Sequence, residues 1–123
     1  MPSRKSRGDQ AEDLACNYLK KQNMKILKRN FRGKRGELDI VGRTGKCLCV
    51  VEVRSRSAGS PYVPEESLTR AKLARLGKTT RQLVSKYNLT GLPVRLDLLV
   101  IDWQTGDPDI RFYPGTITET FPR

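Results

Sequence analysis

Apolar and polar positions alternate with different rhythms along this chain, and each rhythm predicts an element. Ala11, Leu14, Ala15, Tyr18 and Leu19 recur at the spacing of one helix face. Asp9 is placed to cap that helix, with Glu12 three residues on completing a capping box. Met24 to Phe31 reads as a short strand, and Gly33 and Gly36 mark a turn after it. Glu37 to Val41 alternates, with Leu38 and Ile40 on one face and Glu37, Asp39 and Val41 on the other. Arg43 to Lys46 has the composition of a hairpin turn. Cys47 to Arg54 is the strongest strand signal, a nearly continuous apolar run such as a central strand carries.

Ser55 to Pro64 reads as a loop. Glu65 to Tyr87 is a long helical stretch with Leu68, Ala71, Leu76, Leu83, Val84 and Tyr87 as its buried side. Asn88 to Pro93 breaks it, Val94 to Ile101 is a second buried strand, and a turn at Asp102 to Pro108 leads to a short strand near Ile110 to Tyr113. The order αβββαβ plus a short final strand predicts an α/β fold, a mixed sheet flanked by helices. A chain of 123 residues fits one domain. Residues 1–8 are expected to be a disordered basic tail and 9–123 a single domain.

Charge changes this picture from a fold to a partner. The chain has 24 Lys and Arg, 13 Asp and Glu, and a net charge of +11. Residues 1–36 hold 11 basic and 3 acidic side chains, and the run from Lys20 to Arg35 has no acid at all. Such a surface suits a polyanion, most often nucleic acid, although a merely solvated basic face has the same composition. The histidine count is 0, which excludes Ser-His-Asp and Cys-His catalysis and imidazole acid–base chemistry. No apolar run approaches the roughly 20 residues of a membrane helix, and no secretory signal precedes the helix. Three Cys make no disulfide framework. The expectation is a reduced, cytoplasmic protein.

The strands carry charges where burial makes them costly. Glu37 and Asp39 project from the second strand, Glu52 and Arg54 from the third. A hairpin at Arg43–Lys46 makes Asp39 and Glu52 cross-strand neighbours, with Cβ atoms about 4.5–5.5 Å apart. Two carboxylates so close repel, and a divalent cation resolves the repulsion. Mg²⁺ (or Mn²⁺) takes one or two carboxylates with water and phosphate, and so placed it activates water for phosphodiester cleavage. Arg54 then sits beside the scissile phosphate. Glu12, at the edge of the first helix's apolar stripe, can face the same site. The competing reading is a structural cluster of ion pairs, with Glu12 a plain capping residue.

The motifs Gly8-x3-Glu12-Asp13-Leu14-Ala15, Asn30-Phe31-Arg32, Gly36-Glu37-Leu38-Asp39-Ile40, Val51-Glu52-Val53-Arg54-Ser55-Arg56, Lys72 and Arg95-Leu96-Asp97 stand together in this order over about residues 8–113. In this the chain resembles the YraN family, bacterial proteins that look like Holliday-junction resolvases of the PD-(D/E)XK nuclease superfamily. The resemblance implies a restriction-endonuclease-like core and a metal-dependent, structure-selective endonuclease acting on DNA. It assigns Asp39 and Glu52 as metal ligands, with the Val53 carbonyl added. It gives catalytic positions to Glu12, Asp39, Glu52 and Arg54. The family usually reads E-V-K-x-R, whereas this chain has Arg54 at the Lys position. Arg stays protonated, so it can donate hydrogen bonds and charge and cannot be a general base. Lys72 is a second cation able to approach. Lys28, Arg29, Arg32, Lys34, Arg35, Arg56 and Lys72 are the expected nucleic-acid contacts, and a homodimer would supply two sites for two strands.

The remaining signals are weaker. Gly42-Arg43-Thr44-Gly45-Lys46 lacks phosphate-loop spacing and leads into a strand, so it reads as a turn. Cys47 and Cys49 share a strand face with too few partners for zinc and read as small core residues. Arg95 and Asp97 form either a structural ion pair or a support for the site. Tyr62 either stacks on a base or packs on its own domain, and Trp103 packs at a strand end. Besides the enzyme, two other classes stay open: a nucleic-acid-binding protein that keeps the fold without catalysis, and an interaction protein whose charges are scaffolding.

Overall fold

Ser6 starts the first helix. In the computed structural model, which describes residues 6–103, 106–115 and the backbone of 118–120, its hydroxyl accepts the Asp9 backbone N–H at 3.1 Å. Helix α1 then runs Arg7–Lys21. Asp9, expected as the cap, lies in the first turn, where its charge suits the positive end of the helix. The Ser6 hydroxyl satisfies an otherwise orphaned N–H three residues earlier than expected, so the helix begins sooner. Arg7 and Gly8 therefore belong to α1 and not to the tail, and residues 1–5 of that tail lie outside the described residues. Glu12 is one turn inside the helix, with no capping duty.

Three antiparallel strands follow: β1 Lys25–Arg32, β2 Glu37–Thr44 and β3 Cys47–Arg56. Thr44 pairs with Cys47 across a two-residue turn in which Gly45 takes a φ of 56°; this is the expected hairpin. Helix α2, Arg70–Lys86, carries the chain over to β4, Pro93–Asp102, which pairs in parallel with β3. A parallel pair needs such a crossover. Strand β5, Asp109–Tyr113, and strand β6, Thr118–Thr120, both lie antiparallel along β4 at different levels. The order is β1-β2-β3-β4-β5, with β6 on β4; β6 comes after the last strand expected from the sequence. The result is an α/β fold consistent with a restriction-endonuclease-like core. Among the described residues no helix is long and apolar enough to cross a membrane.

The second helical stretch is shorter than its periodicity suggested. Pro64–Glu66 forms one 3-10 turn, and α2 starts only at Arg70. Two hydroxyls separate them: Ser67 Oγ donates to the Pro64 carbonyl at 2.6 Å, and Thr69 caps α2 by accepting from the Lys72 N–H. Leu68 thus packs from outside the helix, while Ala71 and Tyr87, expected inside, are exposed. Thr79 and Thr80 take buried places instead, each hydroxyl donating to the carbonyl four residues back. Both helices close on an Asn in the left-handed conformation, Asn23 and Asn88. Met24 N–H reaches the Leu19 carbonyl and Leu89 N–H the Val84 carbonyl, the closure that turns a chain sharply off a helix end.

Neighbouring residues of β3 divide the core. Cys49 and Val51 face α1 with Ile40, Leu99 and Ile101, while Leu48 and Val50 face α2 with Leu76, Leu83 and Val84. One expected pairing fails: Leu38 packs on the α2 side and Ile40 on the α1 side. Regular alternation would put both on one face. It breaks at Asp39 in β2 and beside it in β1, where Asn30 has a φ of 54°.

Candidate active site

The break in alternation makes the site. β2 and β3 stop pairing at Ile40–Val51. One step further out, the same register sets Asp39 level with Glu52. There the Asp39 side chain does what a strand carbonyl would do, its Oδ2 accepting the Val53 N–H at 2.9 Å. The carboxylate is therefore held between the two strands. Glu12 approaches this point from α1, and Glu52 lies on the side of α2.

Glu52 is 1% exposed, the deepest acidic group of the site. Arg54, two residues along the same face, places Nη2 2.9 Å from Glu52 Oε2, and Lys72 of α2 places Nζ 3.8 Å away. The Oε2 atom nevertheless has no aligned hydrogen bond; Arg54 attracts it without directing an N–H at it. The guanidinium is occupied elsewhere: Nε donates to Ser67 Oγ at 3.2 Å and Nη1 to the Val53 carbonyl at 3.5 Å. Glu12 Oε1 is a second buried carboxylate oxygen without an aligned partner, although Arg29 lies 3.6 Å off.

The electrostatics couple the acids. Burial, and after it Asp39, push the Glu52 carboxyl up from 4.5 to about 7 against the pull of Arg54 and Lys72. Burial also raises Asp39, opposed by the Val53 N–H and Arg54. Glu12 is raised by burial and then by Asp39, with Asn30 and Arg29 opposing. Asp39 thus stands between two carboxyls and disfavours the charge of both.

This donor set fits a hard divalent cation. Among the described residues no three Asp, Glu or Cys side chains are close enough to hold a metal unaided. Mg²⁺ asks for less, one or two carboxylates with water and phosphate completing its shell. Asp39 and Glu52 meet that requirement, and Glu52 Oε2 is the buried oxygen with no aligned donor of its own. Val53, expected to add its carbonyl, gives its N–H to Asp39 while its carbonyl faces Arg54.

The expected nucleic-acid contacts separate into two groups. Arg32, Lys34, Arg35 and Lys72 lie along the joint between the β1–β2 turn and α2. The others do not. Arg29 is tied to α1 by Asp13 at 3.0 Å and by Glu12, Arg56 lies 3.5 Å from Asp102, and Lys28 borders an apolar hollow with Leu27 and Leu83. Arg95 and Asp97 face α1, away from Glu52. Arg95 grips Asp97 with two N–H groups, and Asp97 also accepts the Gly115 N–H at 2.7 Å, which is a structural duty. Cys49 is buried and Cys47 half-buried among the α1-side apolar residues, as small core side chains. Trp103 packs there too, with the Arg7 guanidinium 4.3 Å from its ring. Tyr62 is 42% exposed.

Sequence reasoning missed the charge of α2. Arg70, Lys72, Arg75, Lys78, Arg81 and Lys86 give it six basic residues and no acid. A charge count taken over each predicted helix would have found it.

An α/β domain with two acidic strand residues at a splayed pair of strands is the class that fold and site define. Residues 11–101 match the uncharacterised protein family UPF0102. A UPF0102 protein of Geobacter metallireducens is 36% identical over 111 residues, covering 90% of this chain and 91% of that protein. One from Dehalococcoides mccartyi is 32% identical over 117 residues, covering 95% and 97%. The chain belongs to the UPF0102 family, the same family as the YraN proteins its motifs resemble.

Proposed function

We propose that this protein is a divalent-metal-dependent phosphodiester hydrolase acting on nucleic acid, with Asp39 and Glu52 as its metal-holding carboxylates. The carrying observation is that a buried Glu52 is set beside Asp39, which disfavours the charge of Glu52. A purely structural ion-pair cluster gains nothing from placing two acids together. Bound Mg²⁺ or Mn²⁺ would supply an activated water and neutralise charge on the phosphate. The chain's own cations do the rest. Lys72 and Arg54 flank Glu52 and would hold phosphate oxygens, Arg54 as a permanent donor that never serves as base and that would turn from its present partners to do so. Glu12 adds negative charge from the α1 side.

Branched DNA is the first substrate to test, on the strength of the resemblance to junction resolvases. Branched, duplex and single-stranded DNA are incubated with Mg²⁺ or Mn²⁺, comparing wild type with Asp39→Ala. Cleavage by wild type, lost in Asp39→Ala, is the expected result. No cleavage of any substrate, or cleavage unchanged by Asp39→Ala, refutes the proposal. A second reading, nucleic-acid binding without catalysis, has one observation in its favour: Arg54 stands at the family's Lys position and its guanidinium faces both Glu52 and the Val53 carbonyl. It predicts DNA binding unaffected by chelator and no cleavage by wild type.

A further inference from the structure

Lys72, Arg75, Thr79, Gln82 and Lys86 of α2 recur every three or four residues and so share one polar helix face, three of its five members basic. The β1–β2 turn lies against that face. Lys34 N–H donates to Gln82 Oε1 at 2.8 Å. Gly33 and Gly36 permit the approach: a Cβ on Gly33 would run into the Gln82 side chain, and one on Gly36 would lie 3.3 Å from Thr79 Oγ1. Two adjoining hollows follow this contact. An open one of about 670 Å³ is bordered by Phe31, Arg32, Lys34, Arg81, Gln82 and Lys86. A smaller one of about 140 Å³ is bordered by Arg35, Glu37, Lys72, Arg75 and Thr79. Lys72, at the inner end, is the residue 3.8 Å from Glu52.

We propose that this groove is a phosphate track, in which one backbone of a nucleic acid runs along α2 and enters the carboxylate site at Lys72. This rests on the nucleic-acid part of the proposed function and adds the path of the strand. From Lys72 to Lys86 the helix rises about 21 Å at 1.5 Å per residue. At about 3.4 Å of helix axis per nucleotide, that length accepts roughly six nucleotides. Lys72, Arg75, Arg81 and Lys86 border the two hollows from a helix that carries no acid, a cationic surplus that suits the charge of a phosphate backbone. Glu37 is the one carboxylate among the residues bordering the two hollows, and Arg32 lies 3.5 Å from it. Arg75 and Lys86, which the sequence reading did not single out, become the test positions.

The experiment measures binding in chelator, so that cleavage plays no part. A labelled 20-nucleotide single strand and the matching duplex are titrated by fluorescence anisotropy at stepped NaCl concentrations. Arg75→Glu/Lys86→Glu is compared with Lys25→Glu/Lys46→Glu, which changes net charge equally at the far end of the β1–β2 and β2–β3 strands. The groove variant is expected to bind at least ten-fold more weakly and to lose about two phosphates' worth of salt dependence, a slope change of roughly 1.8. The control variant should change affinity less than two-fold. Arg75→Gln/Lys86→Gln, with circular dichroism of all variants, separates loss of contact from loss of folding. Equal weakening in groove and control variants, wild-type affinity in the groove variant, or no binding by wild type at 50 mM NaCl overturns the track. So does displacement of the DNA by poly-glutamate as effective as by unlabelled DNA at equal charge, which would assign the groove to an acidic protein. Asp39→Ala keeps the two proposals apart. If the track is right and hydrolysis wrong, the groove variant loses binding and no form cleaves. If hydrolysis is right and the track wrong, Asp39→Ala loses cleavage while the groove variant binds as wild type does.

Discussion

The ionisation of Glu52 should dominate the pH dependence of stability between pH 5 and 8. With a histidine count of 0, the usual titrating group of this range is missing. Glu52 fills the gap, since burial and Asp39 raise it from 4.5 to about 7. A carboxyl raised on folding binds its proton more tightly in the native state. Its contribution is fully present below pH 4.5 and is lost as pH rises through about 7. The shift corresponds to about 3 kcal/mol, at 1.36 kcal/mol per tenfold change in proton affinity. With a urea m-value of about 2 kcal/mol/M, the unfolding midpoint should fall by roughly 1.5 M from pH 5 to pH 8. Urea denaturation in chelator at half-unit pH steps measures this directly. Glu52→Gln should remove most of the slope and be more stable than wild type at pH 8. Asp39→Asn should remove part of it, because Asp39 is the second cause of the rise. Asp39 and Glu12 are shifted in the same direction, so a remnant slope is expected in Glu52→Gln. Parallel midpoint curves for wild type and Glu52→Gln would refute the argument, because Glu52 would then be ionised throughout.

Three further outcomes follow from contacts away from the acids. The Arg111 guanidinium holds the Glu65 carboxyl down at about 2, with Tyr113 also donating, so this pair stabilises above pH 4.5 and the gain is lost as pH falls toward 2. After solvent screening it is worth about 1 kcal/mol; thermal melts from pH 5 to 2.5 should show that Arg111→Ala flattens the acid limb, and an unchanged limb would contradict it. Ser6→Ala removes the α1 cap and should cost about 1 kcal/mol, read as a urea midpoint shift, whereas Asp9→Ala should cost less because Asp9 caps nothing. Gly115→Ala drives a Cβ into the Leu96 carbonyl and pulls the Gly115 N–H from Asp97; the melting temperature should drop by several degrees, at roughly 4 °C per kcal/mol, while Gly77→Ala, where the added Cβ meets nothing within 4 Å, should not lower it.

The candidate site was legible because charge on a strand breaks a pattern. Glu52 follows five nearly continuous apolar residues, and the hairpin at Gly45 fixed its level against Asp39 by counting alone. The faces were less legible. Strict alternation put Leu38 with Ile40, and nothing local in the sequence says that Asn30 takes a left-handed φ and that Asp39 replaces a carbonyl in the ladder. Helix limits failed where hydroxyls compete with the backbone. Ser6 extended α1, while Ser67 and Thr69 shortened α2, and the apolar period was blind to all three. Arg29 and Arg56 show the limit of reading charge from sequence, because their partners Asp13 and Asp102 come from other elements.

The two ends of the site make opposite demands on the fold. At Asp39 the ladder between β2 and β3 gives way, and a carboxylate supplies the acceptor that a strand residue would have supplied. At Glu52 the ladder continues into β4, and the charge is carried on a strand buried on both faces. A fold under selection for stability alone would place an apolar side chain at 52, since replacing buried ions by apolar residues is often neutral or stabilising. Arg54 and Lys72 offset part of that cost, yet Arg54 spends its aligned hydrogen bonds on Ser67 and the Val53 carbonyl. The residual imbalance is negative charge with an unaligned oxygen, facing a helix that has six basic residues and no acid. That combination is unfavourable for the protein by itself and would become favourable with a cation held by the acids and a phosphate held by the basic side chains, which is the physical argument behind the proposed phosphodiester chemistry.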